Sequence, residues 1–406
     1  MKAGYLSEFF TGVAIKRLSA VEADPARSNQ HEFNGDKGLK RLFGLEKQEM
    51  QGLFIYLSDN DDEPVVADGS LTWYDARENH AKRSEYRFYF PTTAVSLCAS
   101  EGDLLVIGRR PDDSVLVLIV QGESTIANQV LWLFNVDLQG YHGFSAREEL
   151  ETEQDRIGFA ARFILEQIGV PVESSEDNFL DKIITQFGSK FPRTKDFSAF
   201  ARSTLSDIEP KENPDAAVMA WMEREEILFR TLEKHIIAER LTQGFYDDVD
   251  GFLQFSLSVQ NRRKSRVGFA LENHMEVIFT EVGIQYERAA ISEGRSKPDF
   301  LFPGGKEYRN PEYDSVFLTM LGVKSTCKDR WRQVLAEAKR IENKHLLTLE
   351  TSISQHQTDQ MKDEKLQLIV PESLHQTYTV AQQEWLLNVS EFTEIVRERQ
   401  IKAGTI

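Results

Sequence analysis

Cysteine is scarce in this chain: its 406 residues hold two, Cys98 and Cys327, far apart and the second in a polar stretch. That argues against a disulfide framework and a cysteine zinc site, and a reducing, cytoplasmic setting is expected. Long apolar runs are lacking too, and none approaches the ~18 residues a membrane-spanning helix needs. Met1 to Gly12 contains one lysine and no apolar segment of the secretory type, so no signal peptide is expected. Internal repeats and low-complexity tracts are absent. Nor does positive charge dominate: 48 Lys and Arg stand against 65 Asp and Glu, a net charge of −17. Phosphate binders are usually basic, which at first excludes a general nucleic-acid coat. The distribution weakens that exclusion. Asn261 to Arg266 holds four positive charges in six residues, and Lys324 to Lys344 holds seven against three acids. A DNA-cutting enzyme also needs carboxylates for metal, and an acidic exterior limits unspecific adhesion.

What is present suggests two or three domains, at roughly 100–200 residues each. Residues 1–142 are rich in short β-type runs: Leu53–Leu57, Glu85–Phe90, Leu104–Gly108, Val115–Val120 and Val130–Phe134, punctuated by Asp59–Asp62, Pro91 and Pro111–Asp113. So many short strands predict a barrel or pseudobarrel. The period then turns helical, as in Ile157–Ile168 and Ala216–Arg240, and residues 143–214 read as a helical connector ending at Glu209–Pro214. Residues 215–406 form the last domain. Its expected order is a helix over about Gly268–Val282, strands at Gln285–Ile291, Asp299–Phe302 and Phe317–Lys324, a helix over Asp329–Ile341, and strands at His345–Leu349 and Leu366–Val370. This is an α/β layer arrangement.

The chemistry starts at Lys297-Pro-Asp-Phe-Leu-Phe302. Pro298 biases the preceding residue towards extended backbone, so Asp299 enters a strand at its start. The next apolar strand ends in Lys324. If these strands are neighbours, a carboxylate and an ammonium meet at one sheet end, which suits Mg²⁺-assisted phosphodiester hydrolysis. A divalent ion needs a second acid. Two residues before the lysine stands Gly322, so Glu337 on the following helix is the next choice, and Glu272 completes the set in competition with Glu276. Singly, these are a turn residue, a solvated lysine and helix charges; their order and context give them weight. Lys328, Asp329 and Arg330 follow at a helix start. Arg and Lys donate to guanine O6 and N7 while Asp accepts from cytosine N4, the pattern that reads adjacent G·C pairs. A first-turn acid favourable to the helix dipole is the plainer account of Asp329.

At this point the sequence resembles the EcoRII type II restriction endonucleases. The match runs through Ser258–Gly268, Lys297–Pro303, Met320–Leu335, His345–Leu349 and Leu366–Pro371. The resemblance implies a PD-(D/E)XK nuclease domain with the second carboxylate moved onto the helix. Asp299, Lys324 and Glu337 would be catalytic, Asp299 and Glu337 metal ligands, and Lys328, Asp329 and Arg330 readers of the outer pairs of a CCNGG or CCWGG-like site. The basic run Arg262, Arg263, Lys264 and Arg266 would contact DNA. The N-terminal part resembles the family's effector domain, a DNA-binding pseudobarrel that binds a second copy of the site. Its anchors are Lys16, Arg17, His31 and the strand residues Arg83, Glu85 and Arg87, which also read as an ordinary charged strand face. Trp221 is a candidate receiver for a flipped base, although a core residue of an amphipathic helix is the favoured reading of it. The implied partners are double-stranded DNA, a second copy of the chain and a cognate DNA methyltransferase. A non-catalytic DNA-binding regulator on a nuclease scaffold, and a repair nuclease of the same fold, are the rival readings.

Overall fold

The computed structural model describes residues 2, 4–23, 32–59, 64–78, 80, 83–138, 141, 143–170, 172, 177–205, 208–293, 296–326, 330–351 and 353–406, without the side chains of 159, 160, 163, 177, 178 and 239. The chain divides into two compact units, Met1–Val172 with Thr377–Thr379, and Glu173–Gln376 with Val380–Ile406. No helix among the described residues is long and apolar enough to cross a membrane.

The first unit is built on an eight-stranded sheet. Its strands are β1 (Gly12–Arg17), β2 (Glu32–Asn34), β3 (Gln48–Leu57), β4 (Val65–Asp75), β5 (Tyr86–Tyr89), β6 (Leu104–Arg109), β7 (Val115–Val120) and β8 (Ser145–Arg147), in the order β2-β5-β4-β3-β7-β6-β1-β8. All neighbours are antiparallel except β3 and β7. The six residues of β7, Val-Leu-Val-Leu-Ile-Val, are buried throughout because both faces of the sheet are covered. One face sends Ile15, Val106, Leu116 and Leu118 into a core shared with the helices Thr125–Leu133 and Phe159–Gln167. The other sends Ala14, Phe54, Trp73, Phe88, Ile107 and Val117 into a second core, to which all of β1–β7 contribute.

Two expectations are corrected here. Val130–Phe134 is not a strand but the end of the helix Thr125–Leu133. Short apolar runs look alike in both states, and the deciding signal is Ser124, whose hydroxyl caps the helix by accepting from Ala127 N at 3.0 Å. The segment 143–214 is no single connector. β8 pairs with β1, and Ile157 to Val170 join the first core, whereas the helices Asp177–Phe187 and Thr194–Ser203 belong to the second unit.

In the second unit these two helices enclose Ile183, Phe197 and Phe200 against Leu228, Phe229 and Leu232 of the helix Pro214–Gln243. Pro214 fits the first helical position, where no backbone N–H is needed, and Asn213 caps it through Ala216 N at 2.9 Å. Next comes the helix Val249–Glu281, which starts nineteen residues before the predicted Gly268. The sheet has strands β9 (Glu287–Arg288), β10 (Phe300–Phe302), β11 (Thr319–Lys324), β12 (Lys344–Thr348) and β13 (Leu366–Ile369), ordered β13-β12-β11-β10-β9. β9, β10 and β11 run antiparallel; β11, β12 and β13 run parallel. One face stacks Phe300 and Phe302 edge-on against Phe279 of the long helix, with ring centroids 5.1 Å apart, and Phe392 of the last helix, Val389–Lys402, joins them. The opposite face carries Gly322 and, two residues on, Lys324.

Candidate active site

Asp299 immediately precedes β10, and the pairing of Phe300 with Leu321 sets it beside the end of β11. Its Oδ2 accepts from Lys324 Nζ at 2.7 Å and from Val323 N at 2.6 Å. The sequence thus brings a carboxylate and an ammonium together at one sheet end, both partly exposed. Oδ1 has no partner among the described residues.

Glu337 is near them, although not on a helix. The predicted helix Asp329–Ile341 is the five-residue Trp331–Leu335. Ala338 then takes a left-handed backbone, φ 46°, and Glu337 sits in the turn, its N–H bonded to Val334 O at 3.1 Å. Its half-buried carboxyl has no hydrogen-bond or ion-pair partner among the described residues. Burial and then the charge of Asp299 push its pKa up to about 7, against the attraction of Lys324 and Lys344. Glu272, on the long helix, is raised by burial and by Asp299, opposed by its bond to Arg288 and by Lys324. Three carboxylates therefore share one field around Lys324, and burial above all raises two of them, Glu272 and Glu337. Glu276 is turned to Arg288 at 3.2 Å and Lys195 at 3.3 Å.

Arg288, in β9, is the residue that sequence reasoning missed. It donates to Glu272 Oε2 at 2.7 Å, Asn273 Oδ1 at 2.8 Å and Glu276 Oε2 at 3.2 Å. No local signal marks it, because its partners lie on a helix earlier in the chain. Lys344 is the other: buried, donating to Ile341 O at 2.8 Å, and held below its ordinary pKa by burial while facing Glu293 and Glu337.

The remaining predicted residues scatter. Lys328 and Asp329 lie outside the described residues, as does His31. Arg330 is exposed, reaching Thr326 O at 3.3 Å. The basic run divides between exposed and internally paired positions. Arg266 is 7% exposed and locked to Glu225 at 3.0 Å and to Glu226, while Arg263 pairs with Glu233 at 2.6 Å. Arg262 lies over the Phe191 ring at 4.1 Å, and Lys264 alone of the four is an open lysine. Trp221 is 4% exposed, near His274 at 5.6 Å and Arg202 at 5.7 Å, and packs as a core residue. In the first unit Lys16 is buried against Glu22 at 2.7 Å and Arg17 donates to Gly102 O at 3.0 Å. Arg83 is exposed and precedes β5; Glu85 pairs with Arg87, which also reaches Asn34.

Comparison with known proteins places this geometry. Residues 229–393 match the family model described as EcoRII C terminal. The type II restriction enzyme EcoRII of Escherichia coli is 38% identical over 204 residues, 50% of this chain and 50% of that protein. The chain thus spans about half the length of the curated relative it matches. Among solved structures, metal-depleted Ecl18kI in complex with uncleaved, modified DNA overlays 58% of this chain and 87% of its own at 19% identity and a TM-score of 0.46. The restriction endonuclease PspGI–substrate DNA complex overlays 52% and 94% at 18% identity and a TM-score of 0.44. The resemblance carried by the motifs between Ser258 and Pro371 is thereby shown: this part of the chain, with Asp299, Lys324 and Glu337 inside it, is similar to the C-terminal part of the EcoRII restriction enzymes.

Proposed function

We propose that the chain is a type II restriction endonuclease that makes Mg²⁺-dependent double-strand cuts in DNA at a short, near-palindromic site flanked by G·C pairs, of the CCNGG or CCWGG kind. The observation that carries the reading is the Asp299–Lys324 contact of 2.7 Å at the end of β11, with the unpaired carboxyl of Glu337 in the field of both. It comes from a segment whose relative's name is that of a restriction enzyme. The donor set fits a divalent cation: a half-buried carboxyl lacking a counter-ion beside a carboxylate with one free oxygen is what a hard, oxygen-liking ion relieves. Asp299 and Glu337 would hold it, and a bound Mg²⁺ supplies charge stabilisation at the phosphoryl group. Lys324, held by Asp299, orients the attacking water and holds positive charge at the scissile phosphate, while Glu272, fixed by Arg288, adds negative charge to the same field. Arg330, with Lys328 and Asp329, would read the outer G·C pairs.

The first unit would be a DNA-binding pseudobarrel that engages a second copy of the site; the core on one face of its sheet draws on seven strands, as the inside of a curled sheet would. A two-fold dimer matches a near-palindromic site, and a cognate methyltransferase would protect host DNA. The test is plasmid digestion with Mg²⁺. Discrete fragments sharing one end sequence are expected, with Lys324→Ala lowering the rate by roughly 10²–10⁴ while specific binding persists. Cleavage that survives both Lys324→Ala and Asp299→Ala, or binding with no cleavage at all, overturns the reading.

A further inference from the structure

The helices Pro214–Gln243 and Val249–Glu281 form a hairpin whose outer end exposes apolar residues at helical spacing. Val249 is 66% exposed, Leu253 50% and Leu257 56%, and Tyr246 in the connecting turn is fully exposed. These are not loose ends of a small core. Phe245 already fills the inside of the turn, packed on Phe252 at 5.5 Å and Phe255 at 5.3 Å, with Arg240 over its other side at 4.2 Å. At 100° per residue Val249, Leu253, Leu257 and Gln260 fall on one outward stripe, and Lys264 continues it. Charge is arranged along the same helix. Asp247, Asp248 and Asp250 stand at one end, and the open Lys264 at the other. Asp250 and Lys264 form no ion pair within the chain among the described residues.

We propose that this stripe is where a second copy of the chain docks, with the two Val249–Lys264 segments antiparallel about a two-fold axis. Centring the contact between Leu253 and Leu257 sets Leu253 of each copy against Leu257 of the other. The acidic end of one then lies beside Lys264 of its partner, twice over. A parallel arrangement sets acid against acid and loses this, so the charge pattern selects the antiparallel copy. Two hairpins packed this way make a four-helix bundle about 24 Å long at the seam. The inference names the surface for the dimer that the restriction-enzyme reading expects, and rests on it only for that expectation.

Sedimentation of the full chain at micromolar concentration tests it. The wild type should run as a dimer with a melting temperature that rises with concentration, and Leu253→Lys with Leu257→Lys as a folded monomer with an unchanged circular-dichroism spectrum and a concentration-independent melt. Asp250→Lys alone and Lys264→Glu alone should each weaken the dimer severalfold, and the two together should restore it. A wild-type monomer, a Leu253→Lys/Leu257→Lys variant that stays dimeric, or charge effects that add rather than cancel would each overturn the proposal. Site-specific cleavage by a dimer that ignores these variants would leave the nuclease reading standing and discard only this surface.

Discussion

A Cβ added at Gly322 would lie 2.9 Å from Val334 Cγ2 and 3.5 Å from Leu346 Cδ1. Val334 is buried and β-branched, so it has little freedom to move aside. An acidic side chain two residues before Lys324 therefore has no room, which is why Glu337, from the turn beyond Val334, is the carboxyl that approaches Asp299. Gly322→Ala is expected to cost about 1–3 kcal/mol by overpacking, measured by urea denaturation, and Gly322→Ala with Val334→Ala to regain part of it. An unaltered midpoint for Gly322→Ala would contradict the packing argument. Glu337 makes a second prediction. Its folded pKa of about 7 stands above its ordinary 4.5. An acid raised in this way favours the folded state fully below pH 4.5, and that contribution is lost as pH climbs through about 7. The whole window is worth on the order of 3 kcal/mol at most. Without divalent ions the melting temperature of the wild type should fall more between pH 5 and 8 than that of Glu337→Gln, by roughly a few degrees. Mg²⁺ should reverse the fall in the wild type only. Superimposable profiles would remove Glu337 from the site.

Elements were legible in proportion to how local their signals are. β10 and β11 were readable because Pro298 marks an entry and Leu321 to Lys324 is an apolar run ending in a charge. The helix after Lys324 was misjudged because it stops at Leu335 without glycine or proline; Ala338 turns left-handed through tertiary packing, which periodicity does not record. The helix pair was hardest. Arg266 in a basic run reads as solvated, yet its partners Glu225 and Glu226 are 41 and 40 residues away. Together with His274 they tie three helices. Arg202 Nη1 donates to His274 Nδ1 at 2.9 Å, so the imidazole keeps its proton on Nε2, which faces Glu225 Oε2 at 3.0 Å. Burial holds that histidine below its ordinary pKa, hence neutral. Arg266→Ala strands a fully buried Glu225 and is expected to cost about 3–5 kcal/mol. Arg266→Met, which keeps the volume over Phe229, should do little better, because the loss is the uncompensated charge. A loss below about 1 kcal/mol in either would mean that the network is solvated in solution.

At the scale of the molecule the net charge of −17 has to be set against where the cations go. Arg263 and Arg266 neutralise acids of their own unit, so the basic run adds less to DNA affinity than its composition implies. If the proposed DNA site is right, these two arginines add little sequence-blind adhesion, and specificity would rest on the residues beside the site. Arg330 is the described one among them, exposed and six residues past Lys324. If it reads a guanine edge, Arg330→Ala should cost about 1–3 kcal/mol on the cognate duplex and little on a random one. If it only touches phosphate, both duplexes should lose affinity alike, and the slope of log K against log salt should drop by about 0.9. Arg263→Gln is the internal control, expected to leave that slope unchanged. Competition binding at two salt concentrations separates the cases, and equal losses on the two duplexes would take base reading away from Arg330.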